Sequence, residues 1–151
     1  VIEITGRPFS ASLPRYEDVV PTVHIALRCE RRLLDLRINE RARAMFDGGL
    51  VEEVEALIDQ GIREGETAPR AIGYAQALAV IDGTMSVPEA VDSTALATRQ
   101  LASRQIKWFR RDPRLHWIDV ALTEAGQCTD SERSRLTRQA WELVCARRGV
   151  A

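Results

Sequence analysis

Between Arg99 and Arg111 the chain carries five cations, Arg99, Arg104, Lys107, Arg110 and Arg111, and no acidic residue. Winding residues 99–111 at about 100° per residue places these five and Ser103 within an arc of about 140°, with Leu101, Ala102, Ile106, Trp108 and Phe109 opposite. A rigid cationic strip backed by an apolar face suits nucleic-acid phosphates, and a solvated charged face is the ordinary alternative. Gln105 falls inside the apolar arc, between Leu101 and Phe109. A buried amide there costs about 1 to 3 kcal/mol unless it is hydrogen-bonded. Its partner is either a nearby backbone carbonyl or the edge of an adenine, whose donor and acceptor a Gln matches.

Arg70-Ala71-Ile72-Gly73-Tyr74-Ala75 follows Pro69. Its spacing predicts a helix start, where free backbone N–H groups and the positive end of the dipole attract anions. Gly73 would permit close approach of a chain, Arg70 would pair with a phosphate, and Tyr74 offers a stacking surface. Helix entry with a packed tyrosine is the plainer reading of the same residues. Arg37 and Arg41 are four apart and share a helix face. They suit a diphosphate, unless Glu30 and Glu40 simply neutralise them. His24 and His116 each sit in a strand candidate with no nucleophile nearby and are read as packing or surface residues. The chain has no Gly-x-x-x-x-Gly-Lys-Ser/Thr phosphate loop and no Cys/His spacing suited to a metal.

The elements that must carry these residues follow from periodicity and turn chemistry. Residues 23–27 alternate as a short strand, and 115–120 form a second strand candidate. Helical spacing runs from Glu30 to the interruption at Asp47-Gly48-Gly49, and again from Val51 to Gly61. Residues 63–69 read as a surface loop, and a third helix is expected from Ala71 or Ile72 to Asp82-Gly83. Ser86-Val87-Pro88-Glu89 caps a short helix that leads into a long one ending before Pro113. Ser131-Glu132 opens a final amphipathic helix. Two short strands cannot shield one another's edges, so the fold class is α/β, mostly helical, with a sheet whose remainder lies upstream. Residues 1–20 read as the end of a helix and a connector, 21–122 as the core, and 123–151 as a linker and terminal helix.

The 151 residues are 45% hydrophobic, enough for one buried core. A formal net charge of -1 excludes a uniformly basic nucleic-acid-coating tail, so any electrostatic footprint is local. Cys29, Cys128 and Cys145 are far apart and odd in number, which suits a reducing cytoplasm better than a disulfide framework. No apolar run approaches the ~20 residues that span a bilayer.

Three blocks carry a family resemblance: Arg37-Ile38 through Gly49 to Glu52-Glu53-Val54; Arg70 to Gln76; and Thr98-Arg99-Gln100-Leu101-Ala102-Ser103-Arg104-Gln105-Ile106-Lys107-Trp108-Phe109-Arg110-Arg111-Asp112. In this order, with His116-Trp117-Ile118-Asp119 beyond them, the chain resembles the carboxy-terminal half of bacterial tRNA dimethylallyltransferases. The resemblance runs to about Val120. It implies a P-loop-type three-layer domain and transfer of a dimethylallyl group from dimethylallyl diphosphate to N6 of the adenosine beside the anticodon, with Mg2+ assistance. It implies that Arg70, Ala71, Ile72, Gly73, Tyr74 and Ala75, with Ser103, Arg104, Gln105, Ile106, Lys107, Trp108, Phe109 and Arg110, face the tRNA anticodon stem-loop. Arg37 and Arg41 are the diphosphate candidates, while the phosphate loop and catalytic Asp belong to the family's amino-terminal half. Ser103 stands where many members have Lys or Arg, and Ala75 replaces a frequent Arg. The expected protein is a monomer that is inactive as this portion alone. A non-catalytic RNA-binding remnant and a helical interaction domain are the alternatives.

Overall fold

The structure, a computed structural model, describes residues 16–148. The expected helix end at residues 1–4 and most of the connector lie outside them. Strand β1 (His24–Arg28) leads into helix α1 (Arg31–Asp47) and helix α2 (Leu50–Ala56). Three single 3-10 turns follow at Ile58–Gln60, Ile62–Glu64 and Ala68–Arg70, where an unbroken second helix and a plain loop are the sequence expectations. Helix α3 (Tyr74–Ile81), helix α4 (Val87–Phe109), strand β2 (Leu115–Asp119) and helix α5 (Asp130–Arg148) complete the chain.

Helix α4 is one helix, not a short one feeding a long one, because after Pro88 in its first turn no Gly or Pro interrupts it. Its start is a capping box. Ser86 Oγ accepts from the Glu89 N–H, and Glu89 Oε2 accepts from the Ser86 N–H at 2.8 Å. At 23 residues it is about 34 Å long and forms the spine of the fold.

Small residues set how closely the other helices approach that spine. Ile38 and Ala42 of α1 pack on Ala95 of α4, with Leu34, Val91 and Ala102 around them. A larger cluster joins Phe46, Leu50, Val54, Ile62, Ala77, Leu78 and Ala90, drawing α1, α2, α3 and the start of α4 into one core. Val54 and Ile118 are the largest fully buried side chains.

The two strands are parallel, in register from His24 opposite Leu115 to Arg28 opposite Asp119, with the helices forming the crossover. Helix α5 runs antiparallel to them. At one end Arg135 donates to the Asp119 carbonyl, and at the other Arg147 pairs with Asp18, which also holds His24 at the start of β1. Helix α5 starts at Asp130, one residue before the expected opening at Ser131-Glu132, and the Thr129 hydroxyl accepts from the Glu132 N–H.

Glu132 is the anchor of α5. Its carboxylate is buried, accepts the Ala121 N–H at 2.8 Å and takes both Nε and Nη2 of Arg135. The Arg135 hydrogen bonds, then the Ala121 N–H, hold its pKa down at about 2, against an ordinary 4.5. A lowered folded-state pKa contributes stability above the unfolded value that is lost as pH falls through the folded one. Glu132→Gln is therefore expected to lower Tm at neutral pH and to flatten the decline of Tm between pH 4.5 and about 2. Thermal melts across that range in which the variant keeps the parent's acid slope would remove Glu132 from this role.

Candidate nucleic-acid interface

The cations of α4 arise near its carboxy-terminal end, and the structure turns the helix differently from the sequence expectation. Arg104, Lys107, Arg110 and Arg111 are exposed, and none has an ion pair among the described residues. Arg99 and Ser103 are instead half-buried against α1, where Arg99 Nη1 donates to Asn39 Oδ1 and Arg31 Nη1 donates to Ser103 Oγ at 2.8 Å. Of the apolar arc opposite, Ala102 packs against the core but the large side chains do not. Trp108 is 64% exposed, Phe109 40% and Leu101 38%. The physical reason is that α1 docks on the small-residue side, Ala90, Thr94, Ala95 and Ala102, which allows a closer approach than the aromatic side.

Gln105 is accordingly exposed and is not the buried amide anticipated. It lines a cleft of about 720 Å³ together with Ile106 and Phe109 of α4, Ile25 and Leu27 of β1, Trp117 of β2 and Leu136 of α5. Its amide is thus free for a ligand edge at an apolar wall. Trp108 packs edge-on to Phe109, ring centres 5.6 Å apart, leaving the indole largely open.

Around Gly73 the expectation changes more. Gly73 has φ +99° and is buried. A Cβ there would lie 3.0 Å from Met45 Cε and 3.5 Å from Leu50 Cδ2, so the glycine admits the protein's own core rather than an approaching ligand. Its N–H is also taken, by Gln76 Oε1 at 2.8 Å, while Gln76 Nε2 reaches Ser93 Oγ of α4 at 3.3 Å. The helix start is therefore self-capped and does not offer that donor to an anion. Tyr74 donates its hydroxyl to Glu53, which raises its pKa. Arg70 and Ala71 remain exposed, with Ile72 and Ala75 half-buried.

Both tRNA candidate groups thus sit on the α4 frame but apart from each other. From Ser93, which ties down the Gly73 turn, to Ser103 the helix rises by about 15 Å. Arg37 and Arg41 are both exposed on α1. Arg37 lines the large cleft and donates to the Gly126 carbonyl at 3.5 Å, whereas Arg41 is not part of its wall. Glu30 pairs with Arg32 rather than with either of them.

Sequence reasoning missed a charged knot. Asp18 accepts from His24 Nε2 at 2.8 Å, Arg114 at 2.7 Å and Arg147 at 3.0 Å, while Arg114 also grips Asp112. The hydrogen bond from His24 leads in lowering the Asp18 pKa, and Arg114 pulls Asp112 down to about 2. His24 is thus a structural tie, as its lack of a neighbouring nucleophile suggested. Among the described residues no three His, Cys, Asp or Glu groups converge to hold a metal ion. No helix of the described residues is long and apolar enough to cross a membrane.

A parallel strand pair, a crossover of helices and an apolar cleft between strands and helices define an α/β protein. A profile described as IPP transferase matches residues 1–112. The chain is 52% identical over 130 residues to a tRNA dimethylallyltransferase of Streptomyces avermitilis, covering 84% of this chain and 42% of that protein. To the tRNA dimethylallyltransferase of Mycobacterium tuberculosis it is 45% identical over 147 residues, covering 95% and 45%. It matches the crystal structure of a full-length tRNA isopentenylpyrophosphate transferase from Bacillus halodurans with a TM-score of 0.70 and 28% identity, over 99% of this chain and 44% of that one. The corresponding transferase from Staphylococcus epidermidis matches with a TM-score of 0.64 and 32% identity, over 80% and 38%. The chain belongs to the IPP transferase family, and it spans less than half the length of these relatives.

Proposed function

We propose that this chain is the RNA-gripping portion of an enzyme that transfers a dimethylallyl group from dimethylallyl diphosphate to N6 of the adenosine next to the anticodon of tRNA. The observation that carries the reading is the set of exposed cations on α4 that have no ion pair among the described residues, on the same helix that supplies Gln105, Ile106 and Phe109 to the wall of the apolar cleft. The names of the relatives support the choice of tRNA and prenyl donor. In the reaction the adenine N6 lone pair forms a bond to C1 of the dimethylallyl group, the C1–O bond breaks, diphosphate departs and the amine loses a proton. The adenine must leave its stack to be reached. Arg104, Lys107 and Arg110 hold backbone phosphates, Gln105 reads the extruded base, and Trp108 offers it a face. Arg37, at the cleft wall, is the better placed of the two diphosphate candidates, and the Mg2+ expected for the reaction is held by groups other than the described residues. A cytoplasmic monomer working on the anticodon stem-loop completes the proposal.

The test compares anticodon stem-loops carrying adenosine or guanosine at the target position. The full 151-residue chain is expected to bind both with steep salt dependence and to prefer adenosine by about tenfold, a preference that Gln105→Leu abolishes while leaving the stability within about 0.5 kcal/mol of the parent's. Binding that ignores salt would favour a helical interaction domain instead.

A further inference from the structure

The structure assigns to Arg31, Ser103, Lys107 and Arg110 a seat for a single phosphate oxyanion, set where the first turn of α1 meets the last turns of α4. The seat rests on the RNA-gripping reading and adds to it a cation from a second helix, outside the strip on α4. A second cleft of about 380 Å³ lies there, its floor made by Leu34, Ile106 and Trp117. Four cations line it, Arg28, Arg31, Lys107 and Arg110, and they are not equivalent.

Arg28 is spent, because Asp119 takes its Nε and its Nη2 side by side. Arg31 is aimed rather than spent. Its Nε forms an ion pair with Asp35 at 2.9 Å, one Nη1 hydrogen goes to Ser103 Oγ at 2.8 Å, and one Nη2 hydrogen makes a long bond to the Arg99 carbonyl at 3.4 Å. A guanidinium has five N–H donors, so two of its fork remain uncommitted. Ser103 completes the arrangement by donating its own proton back to the Arg99 carbonyl at 3.0 Å, which leaves its oxygen turned to receive Arg31. Lys107 and Arg110 have no ion pair among the described residues. Burial raises the pKa of the neighbouring Cys29 thiol, so that side chain supplies no counter-charge.

A fixed guanidinium fork, a mobile ammonium and a second guanidinium over an apolar floor match a tetrahedral oxyanion better than a planar carboxylate. The anion is either a phosphodiester of bound RNA or a phosphate of free diphosphate, which offer the same oxygens. Continuity with exposed Arg104 on the same helix and Arg111 just past its end favours the phosphodiester.

The experiment measures binding of an anticodon stem-loop to the full chain as a function of salt, with inorganic diphosphate as competitor. Arg31→Gln is expected to reduce the salt slope by about one and weaken binding about tenfold at low salt. Ser103→Ala, which keeps every charge but loses the aim, is expected to weaken binding severalfold with the slope unchanged. Arg28→Gln is the control, with no change expected because Asp119 occupies its Nε and Nη2 side by side, whereas Asp35 takes only the Nε of Arg31 and leaves its fork open. Competition by diphosphate that disappears in Arg31→Gln would place the free anion in the same seat. An unchanged slope and affinity in Arg31→Gln, beside a reduced slope in Lys107→Ala, overturns the seat and leaves RNA gripping intact. No slope change in any variant overturns both.

Discussion

A chain carrying Arg104→Ala, Lys107→Ala and Arg110→Ala together is expected to bind an anticodon stem-loop with a salt slope smaller by about three and an affinity lower by two to three orders of magnitude. The size follows from geometry. All three side chains are exposed and without an ion pair among the described residues, so removing them breaks no internal contact and takes away three counterion-releasing charges at once. Surface substitutions of this kind change stability by about 0.5 kcal/mol each or less, so the loss should appear in titrations and not in melts. Filter binding between 50 and 200 mM salt, as the working range in which several phosphate contacts separate clearly, decides it. A triple variant with the parental slope would mean that these cations face solvent alone.

Gly73→Val is expected to be the most damaging single substitution for the fold. The position combines φ +99° with a Cβ site only 3.0 Å from Met45 Cε, and a branched side chain would also press on Leu50. Left-handed backbone strain of about 1 to 3 kcal/mol adds to an overpacking cost of similar size. Urea unfolding should show a midpoint lowered by an amount equivalent to roughly 3 kcal/mol or more, with the slope unchanged. Because Gln76 ties this turn to Ser93, the substitution should also displace Tyr74 and Arg70. A midpoint within a few tenths of the parent's would show that the turn relaxes without strain.

The basic end of α4 and the Gly73 turn mark the limits of what the sequence discloses. The strands, the long helix before Pro113 and the basic strip were legible because period, capping and charge are local properties of neighbouring residues. Which side of α4 is buried was not. Hydrophobicity by residue type points Leu101, Trp108 and Phe109 inward, yet the docking of α1 is decided by how near two backbones can come, and that selects Ala95 and Ala102. Gly73 was read as a place for a ligand because a glycine's freedom says nothing about what fills the space above it. The Asp18 knot joins residues 6, 96 and 129 positions apart, and the Arg31–Ser103 bond spans 72, so no spacing rule reaches them.

The parallel pairing of β1 with β2 also has a consequence for the order in which the molecule assembles. Residues 29–114 must be looped out before His24 can face Leu115, an ordering cost of about 4 kcal/mol in closure entropy that no local contact repays. The helices from α1 to α4 meet near neighbours in the chain and gather first, as low contact order dictates. Strand pairing and the docking of α5 come afterwards. Both clefts have a wall of strand, so they are the last part of the molecule to exist during folding and the first to be lost when the strands part.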